Sequence, residues 1–181
     1  KSDDSIWFTD PPFGIQSNYE GLKCEQEIPA NVYRIDGKTG ALTVVAEGIN
    51  GPNGLCFSPD EKKLYIVESR SQPHRCIRVY DVLGEDRLGK YSIFVDAGPN
   101  GTPDGMRCDI DGNLWAGWGM GSAELDGVMI FNPAGEPIGR IELPERCANV
   151  CFGGRERSRL FMACGHALYA LYVNTQGALG G

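Results

Sequence analysis

The chain has 181 residues, 41% of them hydrophobic and 23% charged, the balance of an ordinary folded domain, which excludes disorder, collagen and coiled coil. Seventeen Lys and Arg against 24 Asp and Glu leave a net charge of −7 with no basic stripe, so nucleic acid and anionic membrane are poor partners. No apolar run approaches the roughly 20 residues of a membrane span, and 25 Gly and 11 Pro scattered along the chain favour many short strands joined by turns.

In chain order, an apolar run at 5–9 is followed by a long polar loop over 10–29, then a strand at 31–35, a turn at 36–40 and a strand at 41–45. A second series begins at 54–57, turns at 58–61 and continues with strands at 63–67, 77–81 and 91–95. The third has strands at 105–110, 113–117 and 127–131, with turns at 111–112 and 132–136, the latter feeding a fourth strand. The last has strands at 149–152 and 159–163 on either side of a turn at 153–155.

The series are copies of one unit. Each places an aromatic third in its second apolar run, at Trp7, Tyr65, Trp115 and Phe161, with spacings of 58, 50 and 46 residues. That loosely held period is the length of a four-stranded propeller blade. A β-sandwich of unrelated strands would not keep its aromatics and Asx turns in step. The expectation is an all-β propeller of about four blades, a single domain over residues 1–181. The four residues before the first run leave no room for an innermost strand, so the chain reads as part of a larger propeller that lacks its N-terminal blades.

In a propeller the first strand of each blade lines the axis, and its start shares a face with the loop between strands two and three. The repeats put Asn53, Asp104 and Asn149 in that starting position, 10 or 11 residues before the aligned leucine of the next strand. Carboxylate and amide oxygens converging from separate blades suit a hard divalent cation, Ca²⁺ foremost, with Mg²⁺, Mn²⁺ or Zn²⁺ as alternatives. Asp104 is the only anion of the three. It alone can both offset a dication and accept a proton, and Asp109, in the same blade but outside the slot, reads as a neutral position for comparison.

The strings Trp7-Phe8-Thr9-Asp10-Pro11-Pro12-Phe13-Gly14, Gly51-Pro52-Asn53-Gly54-Leu55, Thr102-Pro103-Asp104-Gly105-Met106 and Ala148-Asn149-Val150-Cys151-Phe152-Gly153-Gly154 resemble the family of gluconolactonases and regucalcin (senescence marker protein). The resemblance implies a six-bladed propeller in the complete protein, one divalent ion at its axis, and hydrolysis of sugar lactones. Carried over residue by residue, it implies that Asn53 and Asp104 hold the ion, that Asp104 is also the catalytic base, and that Asn149 and Asp10 contact substrate. The family's glutamate ligand and an upstream substrate-contacting asparagine fall in stretches this chain lacks. Glu20, Glu25 and Glu27, in the loop over 10–29, could substitute for the glutamate, but that loop reads better as a polar lid over the site face. Alternatives for the same site are phosphotriester hydrolysis and a binding propeller without catalysis.

Other features carry less. Residues 117–121, Gly-Trp-Gly-Met-Gly, have the look of a phosphate cradle, but no helix follows whose N-terminus could complete it, so they read as a flexible loop on the site face. Cys147, Cys151, Cys164 and His166 fit no common zinc spacing. His74 and His166 fall in loops near enough to the site face to carry protons, but they read better as exposed loop histidines. Seven cysteines, mostly in apolar runs, read as reduced core thiols and point to a reducing, cytoplasmic setting.

Overall fold

The structure is a computed structural model that describes residues 1–179. Strands β1 (Ile6–Thr9), β2 (Val32–Ile35) and β3 (Leu42–Ala46) form a three-stranded sheet. A four-stranded sheet follows, from β4 (Pro52–Phe57), β5 (Lys63–Glu68), β6 (Cys76–Asp81) and β7 (Ser92–Asp96). The third sheet holds β8 (Met106–Cys108), β9 (Leu114–Trp118), β10 (Gly127–Phe131) and β11 (Pro137–Glu142), and the last β12 (Cys147–Gly153), β13 (Arg159–Cys164) and β14 (Leu168–Tyr172). In every sheet consecutive strands pair antiparallel in chain order, the meander of a propeller blade. The first blade lacks its innermost strand, as the sequence pattern requires, and β14 is a strand that pattern leaves unassigned.

Register makes the repeat concrete. Tyr65 lies opposite Cys56 and Val79, Trp115 opposite Arg107 and Ile130, Phe161 opposite Cys151 and Ala170, and Trp7 opposite Arg34. All four aromatics sit in the second strand of their unit. Trp7 meets Phe57 of the next blade edge-on at 5.2 Å between centroids, and Trp115 meets Phe152 of its next blade the same way at 5.4 Å. The same contact between neighbouring blades thus recurs at two of the four aromatics, while Tyr65 packs on Phe94 of its own blade at 4.8 Å between centroids.

The core is divided accordingly into three clusters, one between each pair of adjacent blades. Strand β5 shows why. Leu64 and Ile66 point to the first blade while Tyr65 and Val67 point to the third, so a strand of period two must be apolar on both faces. Each such side chain contributes about 1.5–3 kcal/mol of burial.

Among the described residues, helix is confined to a 3₁₀ turn over Pro12–Ile15. The run over 117–121 departs from its reading as a flexible loop: Gly117 and Trp118 end β9, because the Trp118 ring is buried against Phe131, and only 119–121 turn across the site face.

Candidate functional site

The innermost strands β4, β8 and β12 run side by side, and their starts bring three predicted residues to one place. β4 shifts register between Pro52 and Leu55, and β12 between Cys147 and Asn149. Asn53 and Asn149 therefore sit at bulges, where a ladder loses a pairing and a side chain is re-aimed. Asp104 lies just ahead of β8, its N–H donating to the Gly117 carbonyl at 2.9 Å, and the next N–H, of Gly105, reaches across to Ala148 of the fourth blade at 2.9 Å.

Glycine makes this convergence possible. A Cβ on Gly54 would strike the backbone of Asp104, and one on Gly105 would strike Asn149 Oδ1 and the Ala148 carbonyl. Each blade's slot residue thus packs against the glycine of the blade before it. Asn149 Oδ1 is further fixed by accepting from the Val150 N–H at 2.9 Å.

Asn53 and Asp104 line two cavities at once. One, of about 560 Å³, runs along the axis past Asn149 and down to Trp7 and Phe57; the other, of about 340 Å³, opens on the face under Met120, Phe13 and Glu20. The Asp104 carboxylate is half-buried there. Burial raises its pKa above the ordinary carboxylate value, and the Asn53 side chain and the Arg146 charge pull back only in part. No Lys, Arg or His nitrogen lies within 4 Å of it among the described residues.

An anion half-buried without a paired cation, with the Asn53 side-chain amide hydrogen-bonded to it, is a partial donor set of the hard oxygen type that divalent cations take. The described residues offer only part of a coordination sphere, since no three of His, Cys, Asp and Glu come together among them. Of the residues expected to hold an ion, Asn53 and Asp104 are brought together, and they are the donors that the described residues could offer it.

Other predicted residues are distributed differently. Asp10, Glu25 and Glu27 line a separate cavity of about 440 Å³ beneath the loop over 10–29, so Asp10 is not brought to Asp104. Glu20 alone of the loop glutamates reaches the face pocket. His74 is hydrogen-bonded to Asp96 at 2.9 Å, and exposed His166 to Glu145 at 2.9 Å. Cys147 and Cys164 are cross-strand partners, and burial followed by that neighbouring thiol pushes Cys147 up to about 12, so it stays protonated. Cys151 is exposed instead of packed in the core, because it alternates away from Cys147 and Val150.

Sequence reasoning missed Arg70, Arg75 and Arg146, which line the face pocket with Asp104. The signal was present. Arg70 follows a second strand, Arg75 precedes a third and Arg146 precedes a first, all positions that the antiparallel meander returns to the site face.

A propeller with a half-buried carboxylate and amide oxygens at its axis, open to a small-molecule cavity, defines a class of ligand-processing or ligand-binding propellers. Residues 1–166 match the SMP-30/Gluconolactonase/LRE-like region, and the chain belongs to this family. It is 32% identical over 181 residues to a gluconolactonase of Zymomonas mobilis, covering 96% of this chain and 48% of that protein. A pentonolactonase of Haloferax volcanii is 30% identical over 156 residues, covering 82% of this chain and 46% of that protein. Among solved structures, a gluconolactonase from Xanthomonas campestris superposes with a TM-score of 0.82 at 32% identity, covering 95% of this chain and 54% of that one. A calcium-binding regucalcin from Agrobacterium tumefaciens does so at 0.67 and 25% identity, covering 81% of this chain and 53% of that one. The chain spans about half the length of these curated relatives or less.

Proposed function

We propose that the protein carrying this chain hydrolyses sugar lactones at the axis of the propeller, with Asp104 as base. The observation that carries this reading is the position of Asp104: a half-buried carboxylate beside Asn53, at the junction of the axial cavity and the face pocket. Relatives named as gluconolactonase and pentonolactonase supply the substrate class.

In the reaction a water attacks the ring-ester carbonyl carbon. Asp104 accepts its proton, the ring C–O bond breaks, and the departing ring oxygen takes up a proton to give the open hydroxy acid. Asn149, fixed on its bulge, orients the sugar from the fourth blade. Asn53 and Asp104 would hold one divalent cation, with Ca²⁺ suggested by the regucalcin neighbour; bound there, it supplies Lewis-acid polarisation of the carbonyl. Burial suits Asp104 to this role, because a carboxylate stripped of part of its hydration is a stronger base.

The test is hydrolysis of glucono-1,5-lactone by the full-length protein, followed by pH-stat, with and without EDTA and on re-addition of Ca²⁺, Mg²⁺ or Mn²⁺. Activity lost on chelation and restored by one ion supports the reading. Full activity in EDTA overturns the metal, and turnover of a phosphotriester with no lactone turnover overturns the substrate class. Retained ligand binding with no turnover of either substrate would make the site a binding module.

A further inference from the structure

Three of the chain's 17 Lys and Arg line the face pocket that holds Asp104: Arg70, Arg75 and Arg146. On a chain of net charge −7, that is a local reversal of sign. Against them stand two carboxylates, Asp104 and Glu20, and neither pairs with any of the three guanidiniums within 4 Å. The two buried arginines outside the pocket do pair: Arg34 with Asp36 at 3.0 Å and Arg78 with Glu68 at 2.6 Å.

The three differ in how they are held. Arg70 stacks on Phe13, 5.2 Å from the ring centroid, and donates to Gln16, which clasps the loop over 10–29 to the second blade. Arg75 donates from Nε to the Ser69 carbonyl at 3.1 Å, and this fixes the plane of its fork while its terminal nitrogens have no hydrogen-bond partner among the described residues. Arg146 has no side-chain hydrogen bond among the described residues, but its charge acts on Asp104 from the position just before the fourth blade's first strand. Two guanidiniums with free donors therefore face one cavity of about 340 Å³, a volume suited to a single sugar acid. A planar fork of donors matches a carboxylate or phosphoryl group, whereas the hydroxyls of a neutral sugar need no charge.

We propose that the face pocket selects lactones carrying an anionic group, carboxylate or phosphoryl, remote from the ring carbonyl, and that Arg75 and Arg146 bind that group while the ring lies over Asp104. The proposal rests on the lactonase reading and narrows its substrate class. Arg75 and Arg146 are specificity residues. Arg70 positions the lid and has no direct role in binding the anion.

The test compares kcat and KM of the full-length protein for glucono-1,5-lactone, a glucarolactone carrying a carboxylate, and 6-phosphogluconolactone. Expected is a kcat/KM at least about tenfold higher for one anionic lactone than for the neutral one, because a charge-assisted pair outweighs a neutral hydrogen bond. The preferred lactone tells carboxylate from phosphoryl. Arg146→Ser and Arg75→Gln should each lower kcat/KM for the anionic lactone at least about tenfold more than for gluconolactone, chiefly through KM, with Arg146→Lys recovering part of the loss. Equal preference in the wild type, or equal losses on all three lactones, overturns the proposal.

A direct titration separates this outcome from failure of the lactonase reading. If no lactone is turned over, glucarate and 6-phosphogluconate are titrated against the neutral polyol glucitol by calorimetry. Tighter binding of either anion, weakened in Arg146→Ser, upholds the pocket's selectivity for an anionic group, and equal binding of all three overturns it.

Discussion

The third blade carries two aspartates five residues apart, one at each end of its inner strand, and they have opposite surroundings. Asp104, at the site face, is half-buried in a cavity wall, with its carboxylate only partly satisfied and its pKa raised by burial. Asp109, at the other end, is fully buried and saturated: Oδ1 accepts from the N–H groups of Asp111 at 3.0 Å and Asn113 at 2.9 Å, and Oδ2 from the Asn113 side chain at 2.9 Å and the Trp115 indole at 3.0 Å. One carboxylate is held for chemistry and the other closes a turn. The pairing corrects the expectation that Asp109 is a neutral position, since the turn it organises locks the blade's own aromatic in place.

The largest effect should come from the site end. Asp104→Asn keeps size and one oxygen but removes the charge and the basicity, so lactone turnover at saturating metal should fall about 10²- to 10⁴-fold. The melting temperature should hardly move. A variant retaining more than about a tenth of wild-type turnover would show that Asp104 is not the base.

At the turn end the same chemistry should act on stability. Asp109→Ala strands four donors around a buried carboxylate in a turn that is itself partly exposed, and a loss of about 3–5 kcal/mol is expected from denaturant unfolding, given about 1–3 kcal/mol for each unsatisfied group and partial recovery through water. Turnover per folded molecule should persist. If Asp109→Ala unfolded no more readily than wild type, the contrast between the two ends would collapse.

A smaller effect couples the two behaviours. A Cβ at Gly105 would collide with Asn149 Oδ1, so Gly105→Ala should cost about 1–3 kcal/mol by overpacking and also displace Asn149. Melting and KM should shift together, unlike either aspartate variant.

Much of this was legible in sequence, and the reason is periodicity. The blade repeat surfaces as Trp7, Tyr65, Trp115 and Phe161 because each fills the same place in the second strand of its unit, and the slot of Asn53, Asp104 and Asn149 is legible because it opens the inner strand of each blade. The site's second half was hidden for the opposite reason. Arg70 and Arg75 come from the single loop between β5 and β6 and Arg146 from the junction before β12, and no repeat spacing ties these two junctions together. Asp10 differs from the slot residues in another way. The loop over 10–29 folds back so that Asp10 lines a cavity apart from Asp104, a placement that no spacing in the sequence gives. The role of Asp109 needed the structure too, because its partners are backbone N–H groups and one indole whose direction depends on the turn.

The smallest expected effect lies at the turn end of the first blade, where the aromatic is anchored by a relay. The Trp7 indole donates to Ser5 Oγ at 2.9 Å, and the Ser5 hydroxyl and N–H donate in turn to Asp3 Oδ1 at 2.5 and 3.0 Å. Burial acts to raise the Asp3 carboxyl, but the Ser5 hydrogen bonds and the Lys1 ammonium outweigh it and lower its pKa from 3.8 to about 2. A carboxyl depressed in the folded state contributes stability that is complete above its ordinary value and is lost as the pH falls through its folded value, here from about pH 4 to about pH 2. Asp3 is largely solvated, so screening reduces the contribution to less than about 1 kcal/mol. The hydroxyl relay also leaves the indole a partner once the carboxyl is protonated, whereas Trp115 bonds the carboxylate of Asp109 directly. The measurement is urea unfolding of wild type and Asp3→Asn at pH 6, 4, 3 and 2, with the difference constant down to about pH 4 and vanishing near pH 2. A difference that grows on acidification has the wrong sign for a depressed carboxyl and would show that the relay does not hold Asp3 ionised.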